Sequence, residues 1–575
     1  MLKQICNKAQ SCAFFIMGFL CLCNLAQAQT IPEGATAASE ENRLRKRMLE
    51  DKLTPKARQP LIRRAQPAAG ELPAEADQEF LVQKIEIKGN TLVSLDEIRK
   101  VVSPYENQRQ SLRKLIAIAD LITELYQSKG FISSQAFVPP QKIENNTVIL
   151  HVVEGLIGSV SVKGNKYFRT SIIERGLKRF KGKALDYMRL AKELIYLNQH
   201  HDRQVQAVVE PGVEKGTSDI AVEVRDTFPA HGSYEFNNLG TGYTGRLRHG
   251  ITARYNNFSG FDDSMAFTYQ TSEQASAFSA YVMQYVLPLA FAYERRTKLD
   301  VLCTYVTTDL LKEFKESDVE AYSSSVLVNF SQEFFNSLRA RGMYSFGFEA
   351  RSAKTKQRGA IINKDKLRTL RAAVVLEEYD RWGRMGLTNE FKVGFADFLD
   401  SSPQNNPDAA RAGSGGEFYK YTFGLSRINR ITPQIQLLCN VEAQYNIHKL
   451  STLEHMSIGG VYSVRGYPEG EASGDYGVLA IAELRTPLIA GNVQVFNRDL
   501  NKHCQLAFFV DTGYVHLQGA EPAIRDRSLT GAGAGLRLTL NDYSYGRFDI
   551  AWPVGENSFE GRRNPRLYYS LTFGF

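Results

Sequence analysis

From residue 228 onward, apolar and polar residues alternate. Segments of roughly ten residues hold the alternation, as membrane strands do, and stretches rich in Gly, Asn, Asp and Ser separate them. A period of two marks a strand with two unlike faces. Residues 250–255, 264–269, 277–286, 298–306, 323–330, 367–377, 419–425 and 435–445 show it. Residues 566–575 show it most fully. Leu567, Tyr569, Leu571, Phe573 and Phe575 fall on one side, with Arg566, Tyr568, Ser570, Thr572 and Gly574 on the other. A strand with so apolar a face needs lipid or protein against it. At about 22 residues per strand and turn the region predicts about sixteen strands, an even number as bacterial barrels have. Closure into a barrel satisfies every backbone group within lipid. The competing architecture is a large secreted β-sandwich or solenoid.

Upstream the period changes. Ile85-Glu86-Ile87-Lys88-Gly89-Asn90 is echoed by Val160-Ser161-Val162-Lys163-Gly164-Asn165. Each is a short alternating strand that ends in a Gly-Asn turn signal. Two helical segments follow each, 94–103 and 111–128 in the first copy, 170–179 and 186–199 in the second. Strands at 135–138 and 147–154, then at 204–210 and 219–225, close the copies. The order β-α-α-β-β therefore occurs twice, which predicts two α+β modules in tandem.

The N-terminal part carries three further signals. Lys3 and Lys8 precede the apolar stretch 13–22 (AFFIMGFLCL), and Ala26-Gln27-Ala28 is a small-residue cleavage site. This reads as a secretory signal peptide over 1–28. Residues 40–53 (EENRLRKRMLEDKL) are rich in helix formers but charged nearly all round, with Leu44 and Met48 as a minimal apolar stripe. Such a helix lies either in solvent or in a water-filled protein lumen. Pro55, Pro60, Pro67 and Pro73 then interrupt residues 54–77, which predicts an extended linker.

Composition adjusts this picture only slightly. The 575 residues carry 70 Lys and Arg against 62 Asp and Glu, a net charge of +8 that is spread along the chain. That does not point to nucleic acid. Past the signal, the longest apolar run is 285–293, broken by Pro288. This excludes a bundle of spanning helices, each of which needs about 20 apolar residues. Four of the seven cysteines lie in the signal, and Cys303, Cys439 and Cys504 show no metal or disulfide spacing. Gly240–Gly245 matches G-x-G-x-x-G, but alternation follows it where a dinucleotide site needs a helix. Residues 531–535 (GAGAG) lack a phosphate-loop lysine, and their small side chains would let another segment approach the wall closely. His200-His201-Asp202 reads as a solvated turn. No catalytic arrangement, metal site or cofactor site is expected.

The most specific signals are short motifs. Gly130–Gln141 reads GFISSQAFVPPQ, and a long segment carries Val464-Arg465-Gly466-Tyr467 before Gly474-Asp475-Tyr476-Gly477 and Glu483-Leu484-Arg485. Further on stands Phe509-Val510-Asp511-Thr512-Gly513. Residues 505, 507, 509, 511 and 513 share one parity, so Asp511 faces the polar side of its strand. Glu483 has inward parity with Gly477, Leu479 and Ile481. Spacing alone leaves Arg465 and Asp511 either paired or separately hydrated. Together these motifs resemble the two-partner secretion transporters, the TpsB branch of the outer-membrane assembly-factor superfamily (haemolysin-activator and filamentous-haemagglutinin-transporter type). The resemblance covers essentially the whole mature chain.

The resemblance implies a mainly β protein: an N-terminal plug helix region (29–53), a proline-rich linker (54–77), POTRA domains at 78–155 and 156–227, and an outer-membrane barrel at 228–575. It implies that the Val464-Arg465-Gly466-Tyr467 loop folds into the lumen, that Arg465 engages Asp511 of the Phe509/Asp511/Gly513 wall motif, and that Glu483 supports them. It implies a large secreted exoprotein as partner, met by the POTRA domains, with Pro139, Pro140 and Gln141 as substrate-binding candidates. Outer-membrane lipids and lipopolysaccharide, periplasmic chaperones and the barrel assembly machinery complete the implied partners. No nucleic acid and no enzymatic activity are implied. An assembly factor that inserts other barrels is the alternative within the same superfamily.

Overall fold

The computed structural model describes residues 36–51, 62–64 and 77–575, apart from 215, 290–295, 338, 489–493, 496–497, 500–502, 542 and 557–563. The predicted signal peptide and most of the predicted linker lie outside these residues. Sixteen antiparallel strands form a closed barrel. Ala230–Asn237 pairs with Arg248–Asn256 on one side and with Arg566–Gly574 on the other, which closes the cylinder. The alternation read from sequence maps directly onto its two faces. Phe508 and Val510 are exposed while Ala507, Phe509 and Asp511 are buried. In the closing strand Leu567 and Phe573 face out, and Tyr568, Ser570 and Thr572 face in.

Three strands outrun the sequence expectation. Val319–Asn336 and Ala340–Gln357 have 18 residues each, and Ala360–Asp380 has 21. A bilayer needs about 9–11 per strand, so these project well past it. Their far ends carry charged and polar residues at outward positions, as at Lys354, Lys356, Lys364 and Lys366, which weakens the period-two signal.

The helix spans Ala37–Asp51, three residues earlier than the charged stretch suggested, because Thr36 caps it by accepting the Ser39 N–H at 3.0 Å. Its first turns pack inside the barrel. Ala37 meets Phe278, Ala280, Val306 and Ala321, and Leu44 joins them. Ala38 meets Leu367, Phe418, Leu450 and Leu453. The small side chains allow this approach, and Glu40 and Glu41 are buried with them. The lumen, not bulk solvent, surrounds these charges. The side chain of Met48 lies outside the described set.

The two modules form a separate unit. The first has the sheet order Lys84–Lys88, Thr147–Val153, Gln135–Phe137, with helices Leu95–Val102 and Leu112–Ser128. The second joins Leu156–Lys163, Thr217–Asp226 and Arg203–Pro211, with helices Thr170–Leu177 and Tyr187–Leu197. The repeated Lys-Gly-Asn does the same work in both. Gly89 and Gly164 take φ of +90° and +91°, and a Cβ there would collide with the carbonyl oxygens of Val152 and Val224. Asn90 and Asn165 donate to the carbonyls of Val93 and Phe168. A carboxylate then caps the turn. Glu154 accepts from the Thr91 and Leu92 N–H groups at 2.6 and 2.7 Å, and Asp226 accepts from those of Lys166, Tyr167 and Phe168. Partial burial pushes the Glu154 carboxyl up, but these donors outweigh it and hold the group below its ordinary value.

Two expectations need correction. Ile62–Arg64 of the predicted linker is not a free tether. It pairs in parallel with Arg203–Pro211 and adds a strand to the second sheet, with Ile62 packed on that core. An isolated three-residue strand is invisible to periodicity. His200 is not solvated either. It packs edge-on against Phe168 at 4.6 Å, and burial drives its imidazole toward the neutral form.

Gly89→Ala and Gly164→Ala should each destabilise their own module by about 2 kcal/mol or more, since the left-handed backbone alone costs roughly 1–2 kcal/mol. Proteolysis of the full-length protein should show new cleavage confined to that module. The folded Glu154 group sits below its unfolded value, so its contribution is present above about pH 4.3 and fades as pH falls through the folded value. Protection from hydrogen exchange at residues 90–93, relative to the unfolded chain at the same pH, should therefore fall on acidification, and Glu154→Gln should remove most of that dependence.

Candidate functional site

The site begins with four adjacent strands, Tyr476–Pro487, Cys504–His516, Asp526–Thr539 and Tyr545–Pro553. Register places Glu483 beside Phe509, Phe509 beside Gly533, Asp511 beside Gly531, and Gly535 beside Asp549. Three successive inward positions of the third strand, Gly531, Gly533 and Gly535, are thus glycines, and they leave a trough in the wall. The loop between Gln436–Asn446 and Tyr476–Pro487 fills it. Within this loop Met456–Ile458 and Ala472–Gly474 pair as a small two-stranded sheet that points residues 459–471 at the wall.

Arg465 sits at the tip and is 1% exposed. Its Nε and Nη2 donate to the two Asp511 oxygens at 2.6 and 2.7 Å, and its backbone N–H adds a third bond at 3.1 Å. Nη1 donates to Glu483 Oε2 at 2.7 Å. The guanidinium carbon lies 3.3 Å from the centre of the Phe509 ring. This uses every feature that separates arginine from lysine: the fork, the plane and the weak hydration. A Cβ on Gly531 would collide with the Arg465 carbonyl oxygen, and one on Gly533 would collide with the Phe509 ring and the Ile550 carbonyl. Gly466, at φ +98°, lies against the Trp552–Pro553 backbone and donates to Tyr568 Oη at 3.0 Å. Tyr568 Oη donates in turn to the Tyr467 carbonyl, and Tyr467 Oη donates to the Glu556 carbonyl, both at 2.7 Å. Val464 packs with Ile458, Tyr467, Leu479, Val515 and Leu529. Gly513 keeps the wall low beneath Val464 and Ile458.

The structure therefore brings Val464, Arg465, Gly466, Tyr467, Phe509, Asp511, Gly513 and Glu483 into one site. It also adds residues that sequence reading missed. Arg537 donates to Glu483 at 2.7 Å and to Asp549 at 2.5 Å, Arg485 to Glu483 at 2.8 Å, and Arg547 to Asp549 at 2.7 Å. Four guanidinium groups thus share three carboxylates. Charge at inward parity within a membrane strand was the available signal. Pro139, Pro140 and Gln141 are elsewhere. The Gln141 amide is spent on its own module, donating to and accepting from the backbone of Ile149 at 2.8 Å each way.

A second cluster lies at the base of the same loop. Glu454 accepts from Lys392 at 3.1 Å, from Arg351 at 3.3 Å and from Lys420. Arg351 spans two elements. One arm reaches the Leu453 carbonyl at 2.5 Å, and the other reaches Asn42 at 2.9 Å and Glu41 at 3.3 Å on the lumenal helix. Glu41 also accepts from Thr304 and Ser323, at 2.9 and 2.6 Å. Glu40 accepts from Arg248 at 2.9 Å and from Thr244, within the 240–245 turn, at 3.0 Å. Among the described side chains, the first turns of the helix hold it to the barrel through polar contacts that can be exchanged for water.

Known proteins share this fold. Residues 216–538 match the family model described as haemolysin secretion/activation protein ShlB/FhaC/HecB, and residues 80–155 match the ShlB-type POTRA domain. The outer membrane transporter CdiB of Escherichia coli O6:K15:H31 is 23% identical over 519 residues, 86% of this chain and 82% of that one. The heme/hemopexin transporter protein HuxB of Haemophilus influenzae is 21% identical over 485 residues, covering 82% of each. The solved structure of CdiB from Escherichia coli superposes with a TM-score of 0.71 at 19% identity, over 95% of this chain and 100% of that one.

Removing one partner of a buried pair costs about 3–5 kcal/mol. Arg465→Ala should therefore free the loop tip without preventing barrel closure. Protease should reach the loop in intact cells while heat-modifiable gel mobility stays that of a folded barrel. Gly531→Val should give the same loop exposure with Arg465 intact.

Proposed function

Because the chain belongs to the haemolysin secretion/activation protein family, ShlB/FhaC/HecB, we propose that it is the transporter of a two-partner (type Vb) secretion system. It resides in the bacterial outer membrane, with its POTRA domains in the periplasm. It binds one large unfolded exoprotein through those domains and passes it through the barrel to the cell surface. It acts as a conduit and not as a catalyst. No nucleotide drives the step. Strand addition at a sheet edge starts it, and folding of the cargo outside keeps it from sliding back. Two relatives named as transporters, CdiB and HuxB, support this reading.

The carrying observation is how the lumen is filled. The helix is joined to the wall by hydrogen bonds and ion pairs from Glu40, Glu41 and Asn42. A plug held this way leaves with little apolar surface to expose, because among the helix side chains described its apolar contacts are those of Ala37, Ala38 and Leu44. Departure costs Arg351 one arm and leaves the other on Leu453 and Glu454. The loop thus keeps its base anchored while the pore empties.

Cargo capture uses the edge at Gln135–Phe137, where Phe137 is 41% exposed and the Ala136 N–H, now donated to Thr123 Oγ1 of helix Leu112–Ser128 at 2.9 Å, is released to the incoming strand. An added strand gains main-chain hydrogen bonds there without sequence demands. In the second module Ile62–Arg64 already occupies the Arg203–Pro211 edge, so cargo and linker exclude each other at that place. The outer membrane's lipids surround the barrel, and chaperones and the barrel assembly machinery serve its own biogenesis.

Quantitative proteomics on a deletion strain should show one or a few large exoproteins missing from the surface and supernatant, with other barrels unchanged. A broad fall in other barrels would instead make it an assembly factor. Phe137→Asp, on an exposed site, should cut export at least tenfold while barrel levels hold. Glu41→Ala should raise the frequency of open-channel events in planar bilayers, because Arg351, Thr304 and Ser323 lose their shared acceptor.

A further inference from the structure

The long hairpin made by Ala340–Gln357 and Ala360–Asp380 carries a feature that export does not use. Its outward positions can be read rung by rung. Phe346, Phe348 and Ala350 on one strand lie opposite Ala372, Leu370 and Arg368 on the other. Phe346 and Leu370 are 58% and 50% exposed, as lipid-facing residues are. The next rungs pair Ser352 with Lys366 and Lys354 with Lys364. Lys356 follows on the same face. The outward ladder therefore turns from apolar to basic over a few residues.

This arrangement opposes the fold. Lys354 and Lys364 face each other directly across the strand pair, and like charges so placed destabilise a sheet. The acids nearby are committed elsewhere: Lys356 pairs with Glu320 at 3.6 Å, and Lys366 pairs with Asp400. Among the described residues, neither Lys354 nor Lys364 has a carboxylate within ion-pair distance. Lys354 and Lys356 instead flank the Tyr322 ring, at 5.7 and 5.6 Å from its centre. Arg368 donates to the Leu399 carbonyl at 3.0 Å. That contact helps hold Leu399 at φ +48°, an uncommon backbone for a leucine. The bend displays Phe398 and Leu399, 47% and 62% exposed, next to the cations. Unpaired lysines beside exposed apolar side chains suit a ligand that is anionic at its head and apolar below it.

We propose that this face, centred on Lys354 and Lys364 with Lys366, Arg368 and Tyr322 at its edge, binds the phosphorylated headgroup of the outer leaflet's glycolipid, lipid A. The phosphates sit between the opposed lysines and relieve their repulsion. The acyl chains run down past Leu370 and Phe346, and Phe398 and Leu399 dip beside them. One lipid would thereby be retained at a fixed place on the barrel. This goes beyond the export reading, since it would hold for the barrel whatever its cargo.

The test uses the full-length protein in detergent, titrated with bisphosphorylated lipid A and with the same lipid freed of phosphate, and read by native mass spectrometry. The wild type should prefer the phosphorylated lipid by at least tenfold. K354Q/K364Q should lose that preference, and R381Q, at a cation on the opposite rim, should keep it. A double variant that binds like the wild type would overturn the proposal. So would equal binding of the two lipids, or displacement by millimolar inorganic phosphate, which would make this a free-anion site. Because the double variant changes a strand pair, a second readout leaves the lysines untouched. A photoreactive residue replacing Tyr322 should capture lipid A in outer membranes, and its failure to do so would count equally against the site.

Discussion

The lumen is organised around one buried cation. Arg465 reaches the wall through a loop of some length, and its docking fixes where that loop lies. The requirements for holding it explain much of the nearby sequence. Two carboxylates must flank it, because a lone guanidinium at this depth is costly. An aromatic ring must face its plane, and glycines must clear the space. Glu483 and Asp549 then need counter-charges of their own, which Arg537, Arg485 and Arg547 provide. The cluster is a consequence of committing one charge to one place.

The loop base is built on a different principle. Around Glu454, Lys392, Arg351 and Lys420 converge on one carboxylate, and Arg351 is shared with the helix. The tip is a closed set in which every strong donor meets the wall. The base is an open set whose membership changes when the helix leaves. A transporter needs both kinds of contact, one to keep a reference position and one to register whether the pore is filled.

Much of this was legible in the sequence, for a local reason. Parity along residues 505–513 and 566–575 assigns faces without knowledge of any partner, and the Lys-Gly-Asn repeats announce their turns. Gly531 and its neighbours could be read as a place of close approach, though not as the seat of Arg465. What escaped was long-range. Nothing near residue 40 says that Arg248 or Arg351 will receive it, so the charge pattern alone left the helix undecided between solvent and lumen, and only the resemblance implied a plug. Arg537 and Asp549 each look like one polar residue in an alternating strand. Ile62–Arg64 borrows its strand character from the edge it joins. The ends of the longest strands were missed because lysines on the outer face mimic a loop.

The glycines beneath Arg465 have a physical consequence for the cell's surroundings. Where Gly531 and Gly533 stand, a single thickness of peptide separates the guanidinium from hydrocarbon. Arg465 is buried on the lumenal side as well, and buried pairs are screened much less than exposed ones, so the attraction within the cluster depends little on ionic strength. The lysines on the outer hairpin are bathed by salt and should weaken as it rises, over a screening length of about 8 Å at physiological concentration. A bacterium that moves between dilute and saline water would therefore change how this barrel meets its leaflet, while the position of its inner loop stays the same.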